Sequence, residues 1–303
     1  MSKRQPSENV VRKVARKATE AASNATHRLR QLRHLGKLPE LSPLGARIVK
    51  EVENEGVSVW PLDELAFDSN PGFRAAMDKA LDDPNAFCRE SIEYESGFEH
   101  CTPINPTRIA RHYPNLFLWG LDEGLLDVVE NCLGLPAAYH GVIVRKELVD
   151  DTIVATRLWH KDGEDRKVMR ISVYLTDVLD AKSGPFEYVP RKRSPSYKDF
   201  EGVPRITDEH MNKVVPASEW RTCTGPAGTV MFSAVSHVFH HGKLPETERV
   251  VASYYYTSRN PTNEWLSMRN SFQRGIPLID APLSSRQRDC LWKYQECLPE
   301  TAR

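Results

Sequence analysis

The chain of 303 residues is 40% hydrophobic and 27% charged, which is enough apolar side chain to close a core and too much for a disordered polymer. Its 41 Lys and Arg balance 41 Asp and Glu, so no global field draws it to nucleic acid or to an anionic membrane. No window approaches the roughly 20 apolar residues of a membrane-spanning helix. The six cysteines form no CxxC pair and are too sparse for a disulfide scaffold. With no apolar run that reads as a secretory signal, a reducing cytoplasm is the expected compartment.

In chain order, residues 1–40 form a basic segment. Within residues 1–37, ten Lys and Arg, from Lys3 to Lys37, face only Glu8 and Glu20. Val10, Val11, Val14, Ala15, Ala18, Ala21 and Ala22 recur at helical spacing, predicting a helix with one mild apolar stripe. It reads either as a solvated helix across the main body or as an arm for nucleic acid, a membrane surface or organelle targeting. Ser42-Pro43 starts a helix over Leu44–Glu55 that stops at Gly56, and Val57–Trp60 follows as a short strand. Pro71–Leu81 and Leu116–Leu133 are further helices, the last ending at Gly134. Gly120 and Gly124 weaken the start of that one.

From about Ala137 the texture changes to short β-rich runs. These are His140–Arg145, Ile153–His160, Val168–Thr176, Phe186–Val189, Gly228–Ser233 and Val250–Thr257. Such spacing favours an antiparallel jelly roll over a βαβ sheet. Residues 191–221 read as a long polar insertion, and Ser284–Glu296 as a closing helix.

The informative segment is Trp159-His160-Lys161-Asp162-Gly163. On a strand, residues i and i+2 share a face, so His160 and Asp162 would project an imidazole and a carboxylate into one space while Lys161 turns away. A second cluster, His237-Val238-Phe239-His240-His241-Gly242, stands about 80 residues on. Two His and one carboxylate on a β scaffold make the facial triad of non-haem Fe(II) oxygenases, with any of the three distal histidines as second imidazole. Arg249 opens an apolar strand nine residues after His240, and its bidentate fork suits the far carboxylate of a dicarboxylic co-substrate. The plainer readings are a structural histidine on a strand and a surface ion pair of Arg249 with Glu246 or Glu248.

These motifs, with Glu164-Asp165-Arg166-Lys167, Val173-Tyr174-Leu175-Thr176-Asp177-Val178, Ser183-Gly184-Pro185-Phe186-Glu187-Tyr188-Val189-Pro190 and Phe239-His240-His241-Gly242-Lys243, resemble the phytanoyl-CoA dioxygenase-like Fe(II)/2-oxoglutarate oxygenases. The resemblance covers roughly residues 140–260. It implies an α+β, mainly β fold, a double-stranded β-helix (jelly-roll) core with N-terminal and C-terminal helices. Residues 41–303 would be a single oxygenase domain, with helical support over 41–135, the jelly-roll core over 136–260 and a closing helix over 284–296. By position it assigns His160, Asp162 and His240 to Fe(II), Arg249 to 2-oxoglutarate, and Arg145 to a basic residue that helps hold 2-oxoglutarate in some relatives. His241 falls where many relatives have Arg. Arg191-Lys192-Arg193-Ser194 replaces the Gly-Ser-His of many relatives, giving either a cationic rim or a solvated loop.

The activity implied is hydroxylation, or another oxidation, of an unactivated C–H in a small-molecule substrate, with 2-oxoglutarate and O2 converted to succinate and CO2. Because Asp162 keeps the carboxylate that halogenating relatives lack, halogenation is not expected. No membrane span and no nucleic-acid partner is expected. The competing classes are a non-catalytic, metal-binding jelly roll and an interaction protein acting through the basic N-terminal helix.

Overall fold

A computed structural model describes residues 8–88, 99–269 and 279–291 of the chain. Two antiparallel sheets form the jelly roll, which does not close into a barrel. Six strands pair in the order β1 (Val57–Pro61), β7 (Thr229–Ser233), β4 (Met169–Tyr174), β9 (Arg249–Ser258), β3 (Ala137–Glu147) and β2 (Cys101–Pro103). The smaller sheet runs β6 (Arg221–Cys223), β5 (Phe186–Tyr188), β8 (His240–Gly242). Helices cover the outer face of the large sheet.

The alternation of strand side chains divides the molecule. Ile171 and Val173 of β4, Ala252, Tyr254 and Tyr256 of β9, and Val230 and Phe232 of β7 all join one apolar cluster with the helices. Those helices are α2 (Pro43–Glu55), α3 (Asn70–Asp82), α5 (Pro114–Leu118) and α6 (Glu123–Leu133). The intervening residues, Arg170, Ser172, Met231 and Ser253 among them, line a cavity on the other face.

Local signals explain the helices. Ser42 accepts a hydrogen bond from the Gly45 amide (3.0 Å), Pro43 supplies the first turn, and Gly56 closes α2 in the left-handed region at φ 90°. The single helix predicted over Leu116–Leu133 is in fact two, α5 and α6. Three buried tyrosine hydroxyls on the sheet's outer face take the carbonyls released at the break. Tyr254 donates to Leu116 (2.8 Å), Tyr139 to Phe117 (3.0 Å) and Tyr256 to Gly120 (2.8 Å). Only glycine fits at residue 120, since a Cβ there would come within 2.6 Å of the Tyr139 ring. Asp122 then caps α6 through the Gly124 amide (2.9 Å).

Ile153–His160 is not the strand expected from its apolar content. It holds a 3-10 turn, Ala155–Arg157, entered through a positive φ of 48° at Ala155. The buried Arg157 guanidinium gathers the Thr152 carbonyl (2.9 Å), the His100 carbonyl (3.2 Å) and Asp150, holding the segment in a loop. The 191–221 insertion is less polar than it reads. It contains α7 (Asp208–Val214), and Phe200, Ile206, Met211 and Val215 pack with Trp159, Val189 and Phe239 in a cluster of their own.

The predicted N-terminal helix is α1 (Glu8–His34). Arg166 grips it by donating to Ser23 Oγ (2.7 Å), and Gln31 donates to the Leu133 carbonyl (3.3 Å). At the other end α9 spans Ser285–Cys290, and the remainder of the predicted 284–296 helix lies outside the described residues beyond Leu291. Further short elements not foreseen from sequence are β2, α4 (Pro106–His112) and α8 (Glu264–Arg269).

Candidate metal centre

His160, Asp162 and His240 meet at one end of the cavity. Their ligand atoms lie within 4.8 Å of one another, with His160 Nε2 3.5 Å and His240 Nε2 3.8 Å from Asp162 Oδ1. The backbone imposes this. Residues 160 and 240 exchange both peptide hydrogen bonds at 3.0 Å, and the Asp162 amide donates to the Val235 carbonyl (3.1 Å). Lys161 points away, its ammonium on the Pro195 carbonyl (2.8 Å).

The tautomers are set from behind. His160 Nδ1 donates to the Leu158 carbonyl (2.7 Å) and His240 Nδ1 to the Val238 carbonyl (3.2 Å), so both Nε2 lone pairs face Asp162. Burial, above all, keeps both rings neutral, with His240 pushed down to about 4 and His160 well below its ordinary value. Two neutral imidazole lone pairs beside a carboxylate oxygen repel one another, and the His240 Nε2 has no hydrogen-bond partner among the described residues. A divalent cation with nitrogen and oxygen affinity resolves that arrangement, so the donor set fits Fe(II).

The other two distal histidines stand apart. His241 uses both nitrogens elsewhere, on Glu187 Oε2 (3.1 Å) and the Arg157 carbonyl (3.1 Å), and stacks on Trp159 at 4.0 Å between ring centroids. His237 is half-buried outside the cluster, and burial lowers it to about 4.

Arg249, Arg145 and Arg170 line the same cavity, which opens to solvent. Arg145 is ion-paired through Nε to Glu147 (2.7 Å), while Arg249 Nη2 stands 3.7 Å from that carboxylate and its Nε lacks a partner among the described residues. Burial opposes the charge of Glu147, yet Arg145, Arg249, His100 and Arg157 hold its carboxyl at about 2. A Cβ at residue 242 would stand 2.9 Å from Arg249 Nη2, so Gly242 makes room for that guanidinium.

Arg170, on β4, is a third cation on the cavity wall. It donates to Asp162 Oδ2 (2.5 Å), and its guanidinium lies 4.4 Å from the Tyr255 ring centroid. The Asp162 oxygen that turns away from the histidines is thereby occupied, leaving Oδ1 for a metal. Its signal was alternation, since Arg170 and Ser172 are polar residues between apolar Met169, Ile171 and Val173 on one strand. The Arg191-Lys192-Arg193 run is no cationic rim of the cavity. Arg191 donates to the Glu53 carbonyl (3.0 Å), and Arg193 pairs with Glu219 (2.9 Å).

No family model matches the chain, and no curated protein matches it. Among solved structures it is similar to HygX from Streptomyces hygroscopicus with nickel and 2-oxoglutarate bound, at TM-score 0.48 and 16% identity over 72% of this chain and 88% of that one. It is also similar to EctD from S. alaskensis with bound Fe (TM-score 0.49, 18% identity, covering 75% and 84%). A third likeness is to SnoK, a non-heme alpha ketoglutarate dependent carbocyclase from nogalamycin biosynthesis (TM-score 0.49, 18% identity, covering 74% and 87%). Likenesses this distant carry no functional argument, and the reading of the site rests on its own geometry.

Proposed function

We propose that the chain is an Fe(II)/2-oxoglutarate-dependent oxygenase of the phytanoyl-CoA dioxygenase-like kind, oxidising an unactivated C–H of a small-molecule substrate. The observation that carries this is the convergence of two neutral Nε2 lone pairs and Asp162 Oδ1, with the His240 nitrogen otherwise unused. His160, Asp162 and His240 would hold the iron, leaving the cavity side of the metal open. Bound there, the iron and 2-oxoglutarate supply O2-dependent C–H oxidation, with succinate and CO2 as co-products.

The protein's own work is placement and charge. Arg249 offers a buried guanidinium whose nearest carboxylate, Glu147, is already shared with Arg145. It can therefore take the far carboxylate of 2-oxoglutarate in a fork, with Arg145 beside it on the same cavity wall. The neutral histidines hold no proton on the metal side. Arg170 keeps Asp162 in one orientation, and Val251 and Met231 add an apolar patch to the otherwise polar cavity wall.

Two measurements test this reading. The first is iron-dependent conversion of 2-oxoglutarate to succinate by the purified chain in air, with and without a panel of small metabolites. Conversion no faster than iron in buffer would remove the proposal. In the second, turnover of an accepted substrate under 18O2 in high chloride or bromide should give an oxidised product without halogen, because Asp162 retains the third corner of the site. Halogenated product would overturn that part.

A further inference from the structure

Around this centre three buried cations besides Arg249 have close carboxylate partners. Arg145 faces Glu147, Arg170 faces Asp162, and Arg157 faces the Asp150 carboxylate and four carbonyls. Arg205 differs. It is exposed, and it makes no hydrogen bond or ion pair among the described residues.

Its backbone position is nevertheless fixed. Trp159 and Ile206 form an antiparallel bridge, exchanging peptide hydrogen bonds of 2.8 and 3.0 Å. One residue along, that register sets Arg205 opposite His160, and opposed residues of an antiparallel pair project to one face. On its other edge His160 pairs with His240. The row therefore runs Arg205, His160, His240, which puts Arg205 at the rim of the centre on the side away from His240. Buried Ile206 anchors this part of the insertion in the Phe200, Met211 and Val215 cluster, and Tyr197 receives the Lys161 amide (2.8 Å). The charge of Arg205 is felt at His160 and His240, and that of Asp162 at Arg205.

The carboxylates whose charge reaches Arg205, Asp162 first and then Glu164, form no ion pair with it. Asp162 is already taken by Arg170 and the metal corner, so a further anion would join Arg205 to the centre. The 2-oxoglutarate dianion is already matched by the metal and Arg249 in the reading above. We infer that Arg205 is a specificity-determining residue that binds a carboxylate or phosphate group of the substrate, so the enzyme acts on an anionic small molecule. This rests on the oxygenase reading. The planar fork of Arg205 suits either oxyanion, and the substrate's reacting carbon would lie a few bonds from the anion, between Arg205 and the metal corner.

The test is calorimetric titration of the full chain, loaded with Ni(II) as a redox-silent metal and saturated with 2-oxoglutarate. The probes are phenyl phosphate, benzoate and, as the neutral counterpart, phenol. Wild type should bind one of the two anions more tightly than phenol, and the preferred anion assigns phosphate or carboxylate. Arg205→Gln should weaken that anion roughly 10- to 100-fold, and Arg205→Lys should keep part of the preference. Affinities for Ni(II) and 2-oxoglutarate should not change. The assignment is overturned by equal anion affinity in wild type and Arg205→Gln, by no anion preference in wild type, or by loosened 2-oxoglutarate in Arg205→Gln. Failure to take up Ni(II) and 2-oxoglutarate at all would instead count against the oxygenase reading. In that case the same anion titration of the unloaded chain still decides the role of Arg205.

Discussion

The two faces of the large sheet are built from the same strands and do opposite work. Outward, Ile171, Val173, Phe232, Tyr254 and Tyr256 are fully buried against helices, and the tyrosine hydroxyls spend themselves on helix-end carbonyls. Inward, one residue along, Arg170, Ser172, Arg145, Glu147, Arg249 and Ser253 are nearly as buried but polar, and are arranged around a cavity. Burial alone therefore does not separate scaffold from site. What separates them is whether polar atoms are satisfied internally. The outer tyrosines are, whereas His240 Nε2 and Arg249 Nε have no partner among the described residues. Buried and unsatisfied groups that converge on one space point to a ligand.

The comparison can be broken from either side. On the inner face, Arg249→Lys retains the charge but loses the fork, so KM for 2-oxoglutarate should rise roughly 10- to 100-fold with little change in thermal stability. An unchanged KM would move the clamp to Arg145 or Arg170. On the outer face, Ile171→Ala removes a fully buried side chain and should cost about 2–4 kcal/mol in urea unfolding, whereas Ser172→Ala next to it should cost less than about 1 kcal/mol. Similar losses at both positions would show that the faces are not energetically distinct.

Acid should reveal a third, smaller difference. Burial lowers His140 and His100 to about 4, both clear of the metal corner. The unfolded chain, with histidine near 6.5, then binds more protons than the folded one between those values. Stability is therefore whole above about 6.5 and falls as pH drops through that window towards 4. Each such histidine should contribute about 2 kcal/mol of loss by pH 5. In His140→Gln the slope of urea midpoint against pH should flatten, and an unchanged slope would place the acid sensitivity elsewhere. The smallest expected effect is at Gly242→Ala. Its methyl crowds the end of the Arg249 side chain (2.9 Å) and makes an ordinary contact with the Thr156 carbonyl (3.9 Å), so KM for 2-oxoglutarate should rise several-fold and kcat should hold.

How much was legible beforehand follows from range. His160 and Asp162 were readable because two residues on an extended segment share a face, a purely local rule. His240 could not be told from His237 or His241 by spacing, since the choice depends on the pairing of residue 160 with residue 240 across the fold. The helix break at Gly120 depended on tyrosines more than 130 residues further on, at Tyr254 and Tyr256. Ile153–His160 looked like a strand because its apolar content was visible and the carbonyls collected by Arg157 were not. Arg205 lay inside what read as a polar insertion, and only the bridge between Trp159 and Ile206 brings it to the site.

The central claim is that His160, Asp162 and His240 form one metal centre. Its most direct test is anaerobic calorimetric titration of Fe(II) into the wild-type chain and into His160→Ala, His240→Ala and, as control, His237→Ala. One Fe(II) per chain should bind to the wild type and to His237→Ala, and none with comparable affinity to the other two, all four proteins keeping the same circular dichroism. Full binding by His240→Ala, or loss confined to His237→Ala, would contradict the claim.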